Sequence, residues 1–232
     1  MEENKFAWIT LINSNEYFKG ALGLYFSLQR VKTKYPFIIM VVENGISEDN
    51  IQVLKDLKIE YYLIKDKSFL SINDYNNGSH ASTLNKFQMY NLKEKFNKLC
   101  FVDADVLFYK NLDYIFYFDY FFTKGFTGLI SGGIFLLNMD KETKTFDEIY
   151  KECFLWDNDE QILNYLYLKE LFNGPEFDYT VNGGLFHSAG SPKYWEKFDL
   201  DNINKIERFI YNYMNRKILE NYGISNEEIC DG

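Results

Sequence analysis

The stretch LCFVDADVLF (99–108) decides how this chain is read. Four apolar residues, Leu99 to Val102, run into Asp103 and Asp105, and Val106, Leu107 and Phe108 follow. A buried strand has no use for two carboxylates, because an unpaired buried charge is costly or shifts its pKa. The apolar run therefore reads as an interior strand whose carboxyl end carries the two acids. Open α/β sheets bind their ligands at that edge. In extended geometry alternate side chains share a side, which would let Asp103 and Asp105 reach one ligand.

Outward from this strand, toward the N-terminus, strands and helices alternate. FAWITLI (6–12), FIIMVVE (37–43), IEYYLIK (59–65) and KLCFV (98–102) read as strands. NSNEYFKGALGLYFSLQRV (13–31) has helical spacing of Leu22, Tyr25, Phe26 and Leu28. SEDNIQVLKDL (47–57) reads as a helix with Ser47 as N-cap and Asn50 at the capping-box position. TLNKFQMYNLKEKF (83–96) reads as a helix behind a loop over 66–82. The alternation predicts an α/β fold, a three-layer sandwich around a mainly parallel central sheet. After Asp105 the pattern changes. FTGLI (126–130) and GGIFLLNM (132–139) read as strands, TKTFDEIYKECF (143–154) and DEQILNYLYLKEL (159–171) as helices, and EFDYTV (176–181) and GLFHS (184–188) as short strands. An amphipathic helix over about 203–222 covers core from outside.

The 232 residues, with 3 Pro and no low-complexity run, predict one compact domain, and a hydrophobic content of 47% supplies its core. The formal charge of −9 excludes general binding to nucleic-acid backbone, which needs a basic surface. The 3 cysteines, Cys100, Cys153 and Cys230, have no metal-finger spacing and point to a reducing compartment. The start MEENKFAWITLINSNE lacks the basic and long apolar regions of a signal peptide, so a cytoplasmic protein is expected. The stretch 114–137 is apolar but holds Asp119, Lys124 and four glycines, which argues for a buried helix-turn-strand passage and against a membrane span.

Asp103 and Asp105 alone leave three readings open: a turn or capping pair, a pair holding a divalent ion against a diphosphate, or a phosphoryl-accepting nucleophile with its acid/base. The last is the arrangement of haloacid-dehalogenase phosphatases. His187, in GGLFHSAGSPKYWEKF, follows another short apolar strand, with Gly190 and Lys193 close behind. Two carboxylates, an imidazole and phosphate oxygens suit Mn²⁺ or Mg²⁺. The other histidine, His80, sits in a polar loop and reads as solvated.

Taken in order, LINSNEYFKGA, TLNKF, FVDADVL, SGGIF, DEQILN and HSAGSPKYW resemble the motifs of the glycogenin-like family 8 glycosyltransferases. The resemblance runs from about Phe6 to Trp195. It implies the GT-A fold in one domain over 1–232, with a nucleotide-binding half over about 1–105 and an acceptor and metal half over about 106–200. It implies retaining transfer of a hexose, glucose foremost, from a UDP-sugar to a hydroxyl of a glycan or other acceptor, with Mn²⁺ or Mg²⁺. By the resemblance, Asp103, Asp105 and His187 hold the metal. Leu11, Asn13, Ser14, Tyr17 and Ala104 line the nucleotide. Lys86, Ser131, Gly132, Gly133, Gly190 and Lys193 lie toward the diphosphate and sugar, and Asp159 and Glu160 act at the bond that breaks. The family often has Thr-Asn at Asn13 and Ser14, Asn at Ser131 and Gln at Glu160. The carboxylate of Glu160 could stabilise an oxocarbenium ion or attack it. The segment between Asn164 and His187 is too short for the family's self-glucosylated tyrosine loop, so self-glucosylation is not expected. A non-catalytic sugar-nucleotide-binding protein and the phosphatase are the alternatives. The sequence leaves the oligomeric state open, a homodimer included.

Overall fold

The structure is a computed structural model that describes residues 5–67, 81–124, 129–152, 159–171, 185–187, 193, 195 and 207–208. In chain order these form β1 (Phe6–Ile12), α1 (Asn15–Arg30), β2 (Phe37–Val42), α2 (Glu48–Asp56), β3 (Glu60–Ile64) and a 3₁₀ helix, Ala81–Leu92. Then follow β4 (Lys98–Val102), β5 (Val106–Phe108), a short 3₁₀ helix (Asp113–Tyr117), β6 (Phe121–Lys124), β7 (Ile130–Asn138), α3 (Phe146–Glu152), α4 (Asp159–Leu171) and β8 (Leu185–His187).

Six strands make one sheet in the order β3-β2-β1-β4-β7-β6. β3, β2, β1 and β4 are parallel, while β7 runs antiparallel to β4 and β6 antiparallel to β7. Both faces are covered, which is why β2 is apolar without alternation and why β2 and β7 are buried throughout. On one face Trp8, Ile12, Ile39, Val41, Cys100 and Val102 pack with α1, α2 and β5. On the other, Ala7, Ile9, Met40, Leu99, Phe101 and Phe135 pack with the long 3₁₀ helix, α3 and α4. The chain steps from β1 to β2 to β3 in one direction, then returns to place β4 on the other side of β1. That reversal opens a crevice outside the carboxyl ends of β1 and β4, where such sheets bind ligands.

Local chemistry sets the crevice walls. Ser14 caps α1, its Oγ accepting from Tyr17 N, and Ser47 caps α2 by accepting from Asn50 N. The reciprocal half of a capping box is replaced by a link between the helices. Asn15 Oδ1 accepts from both Ser47 N (2.8 Å) and Asn50 Nδ2 (2.7 Å). Within α1, Ser27 Oγ donates to Leu24 O and accepts from Phe108 N, which pins β5 onto the helix. Gly20 is where α1 comes closest to the acidic turn: a Cβ there would lie 2.6 Å from Trp195 Cζ3 and 2.7 Å from Ala104 O. Only a residue without a side chain permits that approach.

Two expectations are corrected, and two elements appear beyond those expected. The helix expected as α over 83–96 is 3₁₀ and ends at Leu92. At about three residues per turn its side chains fall into three rows. Asn85 and Gln88 bind Asp66, Lys67 N and Lys65 O. Leu84, Phe87 and Tyr90 enter the core, and Thr83 and Lys86 face the N-terminus of α4. Around 114–137 a second short 3₁₀ helix and β6 appear. β7 is a single strand across the break expected between FTGLI and GGIFLLNM, with residues 126–128 of that expectation outside the described ones. β5 extends the chain past the acidic pair and pairs with β8. The strand expected at 176–181 lies outside the described residues, as does the C-terminal helix apart from Glu207 and Arg208. Among the described residues no helix is long and apolar enough to cross a membrane.

Thr10, in the middle of β1 opposite Ile39, is fully buried, and its Oγ1 has no hydrogen-bond partner among the described residues. A buried hydroxyl without a partner costs about 1–3 kcal/mol. Thr10→Val is therefore expected to raise stability by about 1 kcal/mol, read as a higher urea midpoint at unchanged slope. A lower midpoint would show that the hydroxyl is satisfied.

Candidate active site

The acidic stretch is a turn and not an extended strand end. Asp103 N donates to Gly133 O (2.8 Å), continuing the β4–β7 ladder by one residue, and Val106 N then donates back to Asp103 O (3.1 Å). The alternation expected to put Asp103 and Asp105 on one side does not apply. The turn delivers each carboxylate to its own lysine.

Lys86 is the hub of the first pair. Its Nζ lies 2.8 Å from Asp103 Oδ1 and 2.6 Å from Asp159 Oδ2, and donates to Gly132 O at 3.1 Å. An ammonium has three protons, and these three acceptors take them all. Burial alone would push the Lys86 pKa down. The two carboxylates outweigh it, and the pKa stands above the ordinary lysine value. The ring of Phe101 adds a cation–π contact, 5.0 Å from Nζ to its centroid. Lys86, expected near the diphosphate and sugar, is thus committed to the protein's own acids.

α4 brings Asp159 and Glu160 in at its first turn, where carboxylates are favoured by the helix dipole. Asp159 N donates to Thr83 Oγ1, and Glu160 Oε1 accepts from Gly132 N at 3.3 Å. The two acids therefore bracket Gly132. A Cβ there would lie 2.0 Å from Asp159 Oδ2, so glycine is required. Ser131 Oγ accepts from Gly133 N, and Asn164 ties α4 to the start of β7 by bonding both N and O of Ile130.

The second pair is Lys193 with Asp105, 2.5 Å apart. The Lys193 ammonium lies 5.7 Å from the centroid of Trp195, a fully buried ring that packs against Tyr17. The Tyr17 phenol is raised above its usual pKa, first by burial and then by Asp105 and Asp103, with Lys193 opposing. Leu11, Asn13, Ser14 and Tyr17 follow one another along the end of β1 and the start of α1. The backbone of His187 pairs with Val106, one residue beyond Asp105; its side chain, Gly190 and His80 lie outside the described residues.

Thr83, Trp195, Gly20 and Asn164 take part in this assembly without having been singled out. Asn164 and Trp195 lie inside the motifs DEQILN and HSAGSPKYW, whereas nothing local in the sequence marks Gly20 or Thr83.

No protein-family model matches the chain. An uncharacterized protein of Acanthamoeba polyphaga mimivirus is 28% identical over 119 residues, 49% of this chain and 40% of that protein. Galactinol synthase 7 of Arabidopsis thaliana is 26% identical over 112 residues, 47% of this chain and 33% of the synthase. The matched stretch thus spans well under half the length of these relatives. Among solved structures, the galactosyltransferase LgtC in complex with donor and acceptor sugar analogues superimposes with a TM-score of 0.65. That match has 14% identity and covers 88% of this chain and 95% of LgtC. The fold is GT-A. The GT-A chain therefore sets its acidic turn on the strand next to the point where the strand order reverses. The haloacid-dehalogenase alternative falls with this fold.

Lys86→Met is expected to cost about 3–5 kcal/mol at neutral pH, because it leaves the buried Asp159 and the half-buried Asp103 side by side without a cation. In that variant the like charges raise a folded-state carboxyl pKa above its unfolded value. The folded form then binds the extra proton, so stability is retained in acid and lost as pH rises through that raised pKa. Urea unfolding at about pH 5 and about pH 8 checks this; an equal loss at both would show that the acids are not coupled.

Proposed function

We propose that this chain is a metal-dependent retaining glycosyltransferase. It would transfer a hexose, glucose foremost, from a UDP-sugar to a hydroxyl of a glycan or other acceptor. One observation carries the reading: at the switch-point crevice of a GT-A fold, Lys86 draws together Asp103 of the acidic turn and Asp159 of α4. The curated relatives that are galactinol synthases and the LgtC complex with donor and acceptor analogues support the same class.

The donor set fits a hard divalent cation. Asp103 and Asp105 already hold two ammonium ions at 2.8 and 2.5 Å, so the turn selects positive charge through oxygen ligands. Among the described residues no group of three His, Cys, Asp or Glu side chains forms a metal cluster. His187, carried by β8 next to Val106, is the third ligand in this reading. Mn²⁺ or Mg²⁺ bound there would supply positive charge to a diphosphate leaving group.

The remaining roles belong to the chain's own groups. Leu11, Asn13, Ser14, Tyr17 and the backbone of Ala104 receive the uridine. Gly190 and Lys193 meet the diphosphate, and Ser131, Gly132 and Gly133 form the floor under the sugar. Asp159, held in place by Lys86, orients the sugar, and Glu160 offers a carboxylate to positive charge developing at the anomeric carbon. Lys86 is a positioning residue here, because its protons are already taken.

Release of UDP from a panel of UDP-sugars with Mn²⁺ tests the reading. Turnover with one sugar is expected, and Asp103→Asn/Asp105→Asn should lower it by at least about 100-fold. Metal-dependent UDP binding with no turnover in the presence of sugar acceptors would instead favour the non-catalytic alternative.

A further inference from the structure

The proposed site holds more fixed charge than a bare cation site needs. Asp103, Asp105 and Asp159 supply three carboxylates, and Lys86 and Lys193 supply two ammonium ions in direct contact with them. With the Glu160 carboxylate on Gly132 N, the sum is two negative charges. A divalent cation would cancel that sum and a diphosphate would restore negative charge, so what each lysine can release decides how the two ligands couple.

The two lysines differ in what they can give up. Lys86 is locked by three acceptors that no ligand replaces without dismantling the α4 contact. Lys193 sits on Asp105 from a segment of chain that follows β8, with its ammonium above the Trp195 ring. Access differs as well: the Asp103 side chain is 27% exposed, whereas that of Asp105, under Lys193, is 9% exposed. A cation approaching from solvent therefore meets the more exposed carboxylate at Asp103, beside the fixed Lys86, and the Lys193 ammonium at Asp105. Two cations cannot share that carboxylate at short range without strong repulsion. A lysine has a flexible four-carbon stem and can turn its head group from a carboxylate to a nearby phosphate oxygen.

We propose that Lys193 is a displaceable internal counter-ion that caps Asp105 until a nucleoside diphosphate draws it away. This rests on the metal and donor reading above and adds to it a coupling between the two ligands. Divalent cation alone binds weakly because it must expel Lys193 into a site with nothing to receive it. Diphosphate alone binds weakly because the carboxylates of the site repel it. Together they bind tightly, with Lys193 moving from Asp105 to the diphosphate. Linkage requires that each ligand strengthen the other by the same factor.

The test is Mn²⁺ binding, followed by the electron paramagnetic resonance of the free ion, with and without UDP. It compares wild type with Lys193→Met, which keeps the stem over Trp195 and loses the charge. Lys193→Gln serves as a second neutral variant, and circular dichroism verifies the fold of each. Without UDP, the neutral variants should bind Mn²⁺ at least about tenfold more tightly than wild type. Their affinity for UDP in the presence of Mn²⁺ should fall, and the enhancement of Mn²⁺ binding by UDP should shrink by a similar factor. If wild type binds Mn²⁺ with UDP but the neutral variants bind Mn²⁺ alone no more tightly than wild type, the counter-ion proposal is overturned and the metal-site reading stands. If wild type binds no Mn²⁺ even with UDP, the metal-site reading falls and the proposal falls with it.

Discussion

A single buried ammonium sets the geometry of this site. Lys86 Nζ holds Asp103, Asp159 and the carbonyl of Gly132 within 3.1 Å, and these belong to the turn after β4, the start of α4 and the start of β7. Three distant parts of the chain meet because the buried ammonium needs the two carboxylates and the carbonyl around it. The surrounding features read as consequences. The 3₁₀ winding puts Thr83 and Lys86 in one row, both toward α4. Gly132 has no side chain because Asp159 fills the space one would take. Asn164 fastens α4 to β7 one turn farther on, so the helix start cannot drift from the lysine.

The sheet supplies the place for this hub. β1 and β4 are neighbours although many residues separate them, and their carboxyl ends open where the winding direction reverses. A crevice follows from topology alone. Its chemistry follows from what stands there: a capped helix start after β1 and an acidic turn after β4. The LgtC likeness covers 88% of the chain at 14% identity, whereas the curated relatives match about half of it. Packing two faces of a sheet asks for apolar residues of suitable volume, not for particular ones, so the fold persists where sequence identity has faded.

The sheet and its flanking helices were legible because β1, β2, β4 and β7 are buried on both faces, and burial writes a continuous apolar run. Asp103 and Asp105 stood out as charge beside an apolar run and Asp159 through the resemblance of DEQILN alone, and the structure brings Asp103 and Asp159 together on Lys86. The long 3₁₀ helix was not legible. Asn85, Gln88 and Asn91 do recur every third residue, but so short a polar row suits an α-helix as well as a 3₁₀ helix. β5 is three residues long and is defined by its pairing with β8 and by Ser27, neither of which leaves a local mark. The role of Lys86 depends on partners 46 and 73 residues away, and a lysine in TLNKF has the same local sequence whether it faces solvent, phosphate or aspartate.

The central claim is that the crevice between the ends of β1 and β4 is a sugar-nucleotide site built on the acidic turn. A crystal structure of the protein grown with UDP and Mn²⁺ tests it most directly. The account predicts the diphosphate and metal against Asp103 and Asp105, with the uridine along Leu11 to Tyr17. UDP found elsewhere on the molecule, or absent while the crevice stays closed by Lys193 and Asp105 at saturating UDP and Mn²⁺, would contradict it.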